Sequence, residues 1–423
     1  MFKFLHAADI HLDSPLRGLE RYEGAPVEQI RGATRQALQN LVSLAIDEEV
    51  DFVLFAGDLY DGDWRDHRTG LFFAAEMSRL READIPVFLI TGNHDAANKM
   101  TRSLRLPDNV VRLSAKKAET RSLDDLCVSI HGQGFATAAC TENLAEGYPP
   151  AVRGNFNIGL LHTSADDGSA AHAAYAECCY DDLRTKQYDY WALGHIHQRG
   201  PVWGDARIHF SGNVQGRHIR EPGPKGCLLV TVDDRGRPDV RFEPLDVLRW
   251  HECLVDASGA DDGYTIVERA AKQLDSLLAQ SDGRPIAARL ELRGGCRAHE
   301  KIAADPHKWS NEIRAAAHTL GRDKLWIERV RFQTSLPREL DRSLTEDGPL
   351  AELVHYIAEL RQDAAGLAKL SGEFADLARK LPGELREVDD SIRLDDPRSL
   401  LPLLDQVQPF LIARLLETEA AAG

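Results

Sequence analysis

The sequence predicts an α/β fold of packed layers, and three observations predict it. Apolar runs of six or seven residues alternate with helix-patterned stretches over the first ninety residues, as strand, helix, strand, helix, strand. Each run stops at a polar cluster of Asp, His, Asn or Gly, and open α/β sheets hold their ligands just past the carboxyl ends of their strands. The segments that follow are richer still in strands.

Phe2–Ala8 is a buried strand ending at Asp9, and residues 26–49 carry helical periodicity with few breakers. Asp51–Ala56 is the second strand, stopping at Gly57-Asp58. Residues 67–83 form the next helix, and Ile85–Ile90 the third strand, stopping at Thr91-Gly92-Asn93. The polar stretch His94–Leu106 lacks periodicity and reads as a loop over the site. Cys127–His131, Phe156–His162, Tyr190–Leu193, Arg207–Phe210 and Cys227–Val232 are strand-like, and the turn Asp233–Gly236 leads to a closing strand at Asp239–Phe242.

Near Leu248–Trp250 the pattern changes. Trp250–Val255, Ile286–Leu292 and Trp326–Phe332 read as strands, with helices at Thr265–Leu278 and His299–Leu320 between them. Beyond Pro337 the chain is helical in flavour: Leu350–Leu360, Leu367–Leu381 and Leu400–Glu419 place apolar residues three and four apart, punctuated by Pro382, Pro397, Pro402 and Pro409. These helices either cover the body of the protein or offer an apolar face to a partner. A chain of 423 residues exceeds the size of a single core, and its expected domains are 1–245, 250–335 and 340–423.

Charge narrows the function. The net charge is −16, and the last 83 residues carry 17 Asp and Glu against 9 Lys and Arg. Such a chain does not coat nucleic acid through bulk electrostatics, although an enzyme that touches DNA locally is compatible with it. Seven Cys without a CxxC pair argue against a disulfide framework and a structural zinc site. The opening MFKFLHAADIH puts polar residues where a signal peptide needs an apolar core, and no stretch is apolar enough to span a membrane. The expectation is a cytoplasmic protein with no membrane partner.

The chemistry lies in Asp9 and His11 of ADIH, Asp58 of GDLYD, Asn93 of GNHD, His162 of LLHT, and His195 and His197 of GHIH. These oxygen and nitrogen donors suit Mn²⁺, Fe²⁺ or Zn²⁺. If the strand persists, Asp9-x-His11 puts both side chains on one face, within reach of a single ion, and His195-x-His197 does the same. A carboxylate such as Asp58 can bridge two cations, and Asn93 adds a neutral carbonyl oxygen. A metal pair lowers the pKa of the attacking water and clamps phosphoryl oxygens during in-line displacement. His94, directly after Asn93, is placed to give the leaving oxygen a proton or to support the phosphoryl oxygens. Taken singly, Asp9 and Asp58 would serve as helix N-caps, and His67, His172, His299 and His318 as surface or satisfied interior groups. Five motifs in this order argue for one site.

These motifs resemble the calcineurin-like metallophosphoesterase superfamily over about residues 1–245. Within it the chain is similar to the DNA repair exonuclease branch, the SbcD-type nuclease subunit and its YhaO-like relatives. FLHAADIHLDSPL, GDLYD, the span His195–Phe210 and the stretch Ser211–Arg217 followed by Gly226–Val232 carry that likeness. The resemblance implies a layered β-sandwich flanked by helices, with a small α/β capping domain and C-terminal helices. It implies two divalent metal ions, usually manganese, with Asp9, His11, Asp58 and His197 on one and Asp58, Asn93, His162 and His195 on the other. His94 is then catalytic. It further implies C-terminal helices that dock on an SMC-like coiled-coil ATPase, and homodimerisation. Asn213 stands where the branch commonly has Ser. Arg217, His218, Arg220 and Lys225 either meet a phosphate backbone or form an ordinary charged turn.

The function expected is a metal-dependent DNA exonuclease or endonuclease working with an ATPase partner in DNA repair. A phosphodiesterase or phosphatase on small nucleotides is the enzymatic alternative, against which residues 250–423 count. A binding subunit with a vestigial site is the third, against which the intact donor set counts.

Overall fold

Apart from Lys3, every residue of the first strand is buried, and this places it in the middle of a layered structure. The computed structural model describes residues 1–14, 27–61, 67–97, 104–165, 175–337, 349–380, 397–401, 403–404, 407–408 and 411. The chain divides into two units, Met1–His251 with Gly283–Ala287, and Glu252–Asp282 with Ala288–Gly423.

In chain order the first unit runs β1 (Phe2–Ala7), α1 (Val27–Asp47), β2 (Phe52–Phe55), α2 (His67–Glu82), β3 (Val87–Leu89), α3 (Asn93–Ala97), β4 (Val110–Arg112) and β5 (Glu119–Leu123). It continues through β6 (Val128–Gln133), β7 (Phe156–His162), α4 (Tyr180–Arg184), β8 (Tyr190–Gly194), β9 (Gly200–Val202), β10 (Asp205–Phe210), β11 (Gly226–Val232) and β12 (Pro238–Pro244). One mixed sheet has the order β12-β11-β1-β2-β3-β4, and the other β5-β6-β7-β8-β10-β9. Strands β1 to β4 are mutually parallel, and so are β6, β7, β8 and β10. Parallel strands buried on both faces read as continuous apolar runs, which is why those other than the half-buried β4 were legible.

Alternate side chains sort into three cores. Phe4, Phe52, Leu54, Ile158, Leu160 and Val230 meet between the sheets, with Phe4 and Phe52 stacked 4.9 Å apart. On the outer face of the first sheet, Leu5, Val53 and Phe55 pack against Leu38 and Leu41 of α1 and Phe73 and Met77 of α2. On the outer face of the second, Trp191, Leu193 and Ile208 pack against Tyr148 and Leu183. The result is an α/β sandwich of two mixed sheets flanked by helices.

The carboxyl ends of the two sheets converge. A Cβ on Gly194, at the end of β8, would lie 2.1 Å from the carbonyl oxygen of Ala56, just past the end of β2. His162, the last residue of β7, is the register partner of Gly194. The polar clusters after β1, β2, β3, β7 and β8 are thereby gathered at one edge.

The second unit carries most of β13 (Arg249–Asp256), then α5 (Gly263–Ala279), β14 (Ile286–Gly295), α6 (His299–Ala304), α7 (Pro306–Gly321) and β15 (Leu325–Ser335), with sheet order β13-β14-β15. The helices α8 (Pro349–Gln362), α9 (Ala364–Glu373) and α10 (Ala375–Lys380) follow. Helix α5 packs on α7, and α7 on β15. The single helix expected over His299–Leu320 is broken at Asp305, because Pro306 has no N–H to donate and disfavours a helical residue before it. Leu367, Leu400 and Leu404 form a small core of their own; most of the helix expected over Leu400–Glu419 lies outside the described residues.

Other expectations were too coarse. The stretch His94–Leu106 opens with the helical turn α3, and residues 98–103 lie outside the described residues. Strands β4, β5 and β9 went unrecognised, being three to five residues long and mostly half-buried or exposed. All seven cysteines are free thiols. Among the described residues no helix is long and apolar enough to cross a membrane.

Candidate metal centre

The donors are aimed by the turns that follow the strands. Strand β1 stops at Ala7, and Asp9 and His11 both adopt left-handed backbone, with φ of 52° and 46°. No strand persists through this pair, so a period of two does not align its side chains. Backbone N–H groups of Asp9, His11 and Leu12 donate instead to the carbonyls of Gly57, Asp58 and Leu59 at 3.1, 3.1 and 2.9 Å. That ladder sets the ADIH turn against the GDLYD turn. Asp58 and His195 also have positive φ, 53° and 101°. Such backbone costs on the order of 1–3 kcal/mol per non-glycine residue and persists only where surrounding contacts impose it. Among the described residues neither Asp9 nor Asp58 stands at the N-cap position of a helix.

Three groups of donors converge: Asp9 with His11 and His197, Asp58 with His162 and His195, and His11 with Asp58 and His94. The two histidines of GHIH thus belong to different groups and do not converge on one ion as their spacing suggested, because β8 ends at Gly194 and the chain turns between them. Asn93 joins the second group, its Oδ1 lying 3.0 Å from His162 Nε2. Asp58 Oδ1 accepts the His94 N–H at 2.9 Å, and the Asp9 carboxylate accepts the His195 N–H at 3.0 Å.

The donor set fits two cations. His162 Nδ1 lies 2.8 Å from the Ala56 carbonyl, an acceptor, so that nitrogen carries the proton. Nε2 then points a lone pair at Asn93 Oδ1 and at Asp58 Oδ2, 3.5 Å away. His197 Nδ1 is likewise committed to the Glu221 carboxylate at 2.7 Å, and its Nε2 faces His11 Nε2 at 3.1 Å and Asp9 Oδ1 at 3.8 Å. Buried lone pairs converging from several sides are the arrangement a cation resolves. Burial, helped by Arg217, pushes the His11 pKa well below its ordinary value, so the ring stays neutral and able to ligate. At His162 burial acts downward, but the Asp58 carboxylate outweighs it and lifts the pKa to about 9; a proton is drawn to the place a cation suits. Divalent ions held here supply Lewis-acid activation of water and neutralise phosphoryl charge.

Around the donors stand residues that the sequence reading passed over. His94 Nδ1 lies 3.1 Å from Asp61 Oδ1. This contact raises the His94 pKa against the opposing effect of burial. Asp61, itself the second Asp of GDLYD, is held well below the carboxylate range by His94. Asp95 of GNHD is buried and accepts three backbone N–H groups, from Leu59, Tyr60 and Gly92, pinning the GDLYD turn to the GNHD turn. Both lay inside motifs already singled out. Glu221 had no local signal: it accepts a hydrogen bond from His197 Nδ1, 24 residues away, and also from Asn213 Nδ2 and the Arg217 N–H. Asn213 therefore serves this network. Arg217, 14% exposed, lies 3.7 Å from Asp61, and Lys225 donates to the His197 carbonyl; neither sits in an ordinary surface turn. His299 is a satisfied interior group, 3.0 Å from Thr334 Oγ1, and His318 is exposed. The His67 side chain and His172 lie outside the described residues.

Comparison with known proteins agrees with this chemistry. A family profile described as calcineurin-like phosphoesterase matches residues 2–199, and one described as metallophosphoesterase YhaO, middle domain, matches residues 250–335. The chain is 34% identical to the metallophosphoesterase YhaO of Bacillus subtilis over 295 residues, covering 69% of this chain and 71% of that one. The chain belongs to the YhaO family of calcineurin-like metallophosphoesterases. Its centre is accordingly a metal-dependent hydrolase site of phosphoesterase type. This YhaO family member is also 27% identical over 202 residues to the DNA double-strand break repair protein Mre11 of Sulfurisphaera tokodaii, covering 47% of this chain and 49% of that protein. It superposes on a dimetal phosphatase from Danio rerio with a TM-score of 0.35 and 13% identity, over 57% of this chain and 99% of the other, a likeness too weak to bear on substrate.

Proposed function

We propose that this protein is a manganese-dependent nuclease that hydrolyses phosphodiester bonds of DNA ends or single strands in DNA repair. What carries the reading is the pairing of a two-metal phosphoesterase centre with the likeness to a protein named for double-strand break repair. Asp9, His11, Asp58 and His197 hold one ion, and Asp58, Asn93, His162 and His195 the other. His94 donates a proton to the leaving oxygen, and the Asp61 carboxylate keeps that imidazole charged until it does so. Arg217, beside Asp61 and His197, faces the phosphoryl charge.

The acidic composition leaves little surface for extended duplex binding. An SMC-like coiled-coil ATPase supplies that surface in this reading, docking on the helices after residue 340, with the assembly in the cytoplasm. The test is hydrolysis of labelled single-stranded and blunt duplex DNA with Mn²⁺, beside bis-p-nitrophenyl phosphate and an Asp58→Ala control. DNA cleavage that disappears in the variant supports the reading. Cleavage of the small diester with none of DNA, with or without the ATPase, would reject it in favour of a small-molecule phosphodiesterase.

A further inference from the structure

On the His197 side of the metal centre lies a cavity of about 840 Å³, walled by the segment after GHIH and by Phe242 of β12. Its charge is opposite to that of the chain. Arg199, Arg217, Arg220 and Lys225 line it, against one carboxylate, Glu221. That carboxylate is already engaged by His197, Asn213 and Arg217. Arg199 lies 3.8 Å over the Phe242 ring and donates to the Pro224 carbonyl. Lys225 donates to the His197 carbonyl at 3.0 Å. Among the described residues Arg199, Arg220 and Lys225 form no ion pair, in a protein of net charge −16. Cations gathered on one wall and not salt-bridged to a carboxylate are suited to an anion with several oxygens.

We propose that this cavity is a phosphate subsite for a single-stranded polynucleotide, holding the backbone phosphate next to the one at the metal centre. The proposal rests on the nuclease reading and gives it a substrate class. His197 is shared by the centre and the cavity wall, so the chain leaving one enters the other. The volume falls within the range of small-ligand sites, enough for a nucleotide and too little for a duplex. A lone phosphomonoester would occupy the centre and leave the cavity without a phosphate. Guanidinium groups supply forked donors suited to phosphate oxygens, and contacts of this kind position a strand without reading its bases.

The test uses the full chain loaded with Mn²⁺ and a fluorescein-labelled dT10 whose phosphorothioate linkages resist hydrolysis. Anisotropy titrations at several salt concentrations compare wild type, Arg220→Glu, Lys225→Met and Arg235→Ala, with thermal melts confirming the fold. Arg235 lies in the turn beyond the far end of β11 and serves as the control cation. Each cavity variant is expected to weaken binding about ten-fold and to lower the salt slope by about 0.7 for every phosphate it no longer neutralises. Arg235→Ala should bind as wild type does. Arg220 is exposed, so its variant remains informative even if Lys225→Met unfolds. Equal affinities for Arg220→Glu and wild type would overturn the subsite. Unmodified dT10 separates the two claims: cavity-dependent binding without cleavage, with or without the ATPase, removes the nuclease reading alone, and cleavage with unchanged binding in the variants removes the subsite alone.

Discussion

Gly92 lies directly beneath the Asp58 carboxylate, so Gly92→Ala tests whether the centre depends on where that carboxylate stands. A Cβ at this position would come within 2.2 Å of Asp58 Oδ1 and 2.7 Å of the Asp58 backbone nitrogen. Ordinary contact begins at 3.4 Å, so the carboxylate oxygen must retreat by more than 1 Å. Asp58 is 1% exposed, and the same oxygen accepts the His94 N–H, so its retreat would break that hydrogen bond. The backbone clash is harder to relieve, because Asp58 is tied to His11 through its carbonyl. Overpacking of this kind destabilises by about 1–3 kcal/mol. Displacing a reacting group by about 1 Å costs on the order of 100-fold in rate, equivalent to about 2.7 kcal/mol of barrier. The assay is steady-state hydrolysis of bis-p-nitrophenyl phosphate at saturating Mn²⁺, beside calorimetric Mn²⁺ binding and a thermal melt. Turnover within three-fold of wild type, with unchanged Mn²⁺ affinity, would refute the bridging role of Asp58.

Three further predictions separate the supporting residues. Asp61→Asn should lower kcat by about 100-fold while leaving Mn²⁺ affinity near wild type; a matching loss of metal would show that Asp61 supports a ligand. Glu221→Ala should weaken Mn²⁺ binding by about 10- to 100-fold through the freed His197 ring, with partial rescue by Glu221→Gln, and calorimetry showing no change would remove Glu221 from the centre. Burial, reinforced by His209, pushes the fully buried His6 down to about 3. Its unfolded pKa is about 6.5, so its contribution is complete above that value and is lost as pH falls through the window toward 3. Between pH 7 and 5 this removes about 2 kcal/mol. Urea midpoints in EDTA should therefore fall more steeply for wild type than for His6→Gln, and parallel pH dependences would sink the assignment.

How much of this was legible follows from where each signal is stored. Strands such as β2 and β3, buried on both faces, are written as unbroken apolar runs and could be read directly. Edge strands such as β5, Glu119–Leu123, are held by pairing with a neighbour and leave no apolar pattern. The break at Pro306 was written locally and overlooked, since the amphipathic period continues on both sides of it. Meeting of Asp9, His11, Asp58, Asn93, His162, His195 and His197 was legible because each stands at or just past a strand end, and parallel strands bring those ends to one edge. Their grouping was not, because it depends on left-handed turns at Asp9, His11, Asp58 and His195 that no strand period describes.

The supporting network shows the same division at longer range. Asp61 and Asp95 sit within four residues of a metal donor and act on the turns that carry it. Glu221 acts across 24 residues, and the loop that carries it also supplies the cavity cations. One segment after GHIH therefore does two things: through Glu221 it fixes the tautomer of His197, and through Arg220 and Lys225 it sets the charge of the neighbouring cavity. A sequence can vary this loop without altering any donor of the centre. If the cavity selects the substrate, specificity among relatives with the same seven donors should change with residues 220 and 225, and hydrolysis of a minimal diester should change little with those two.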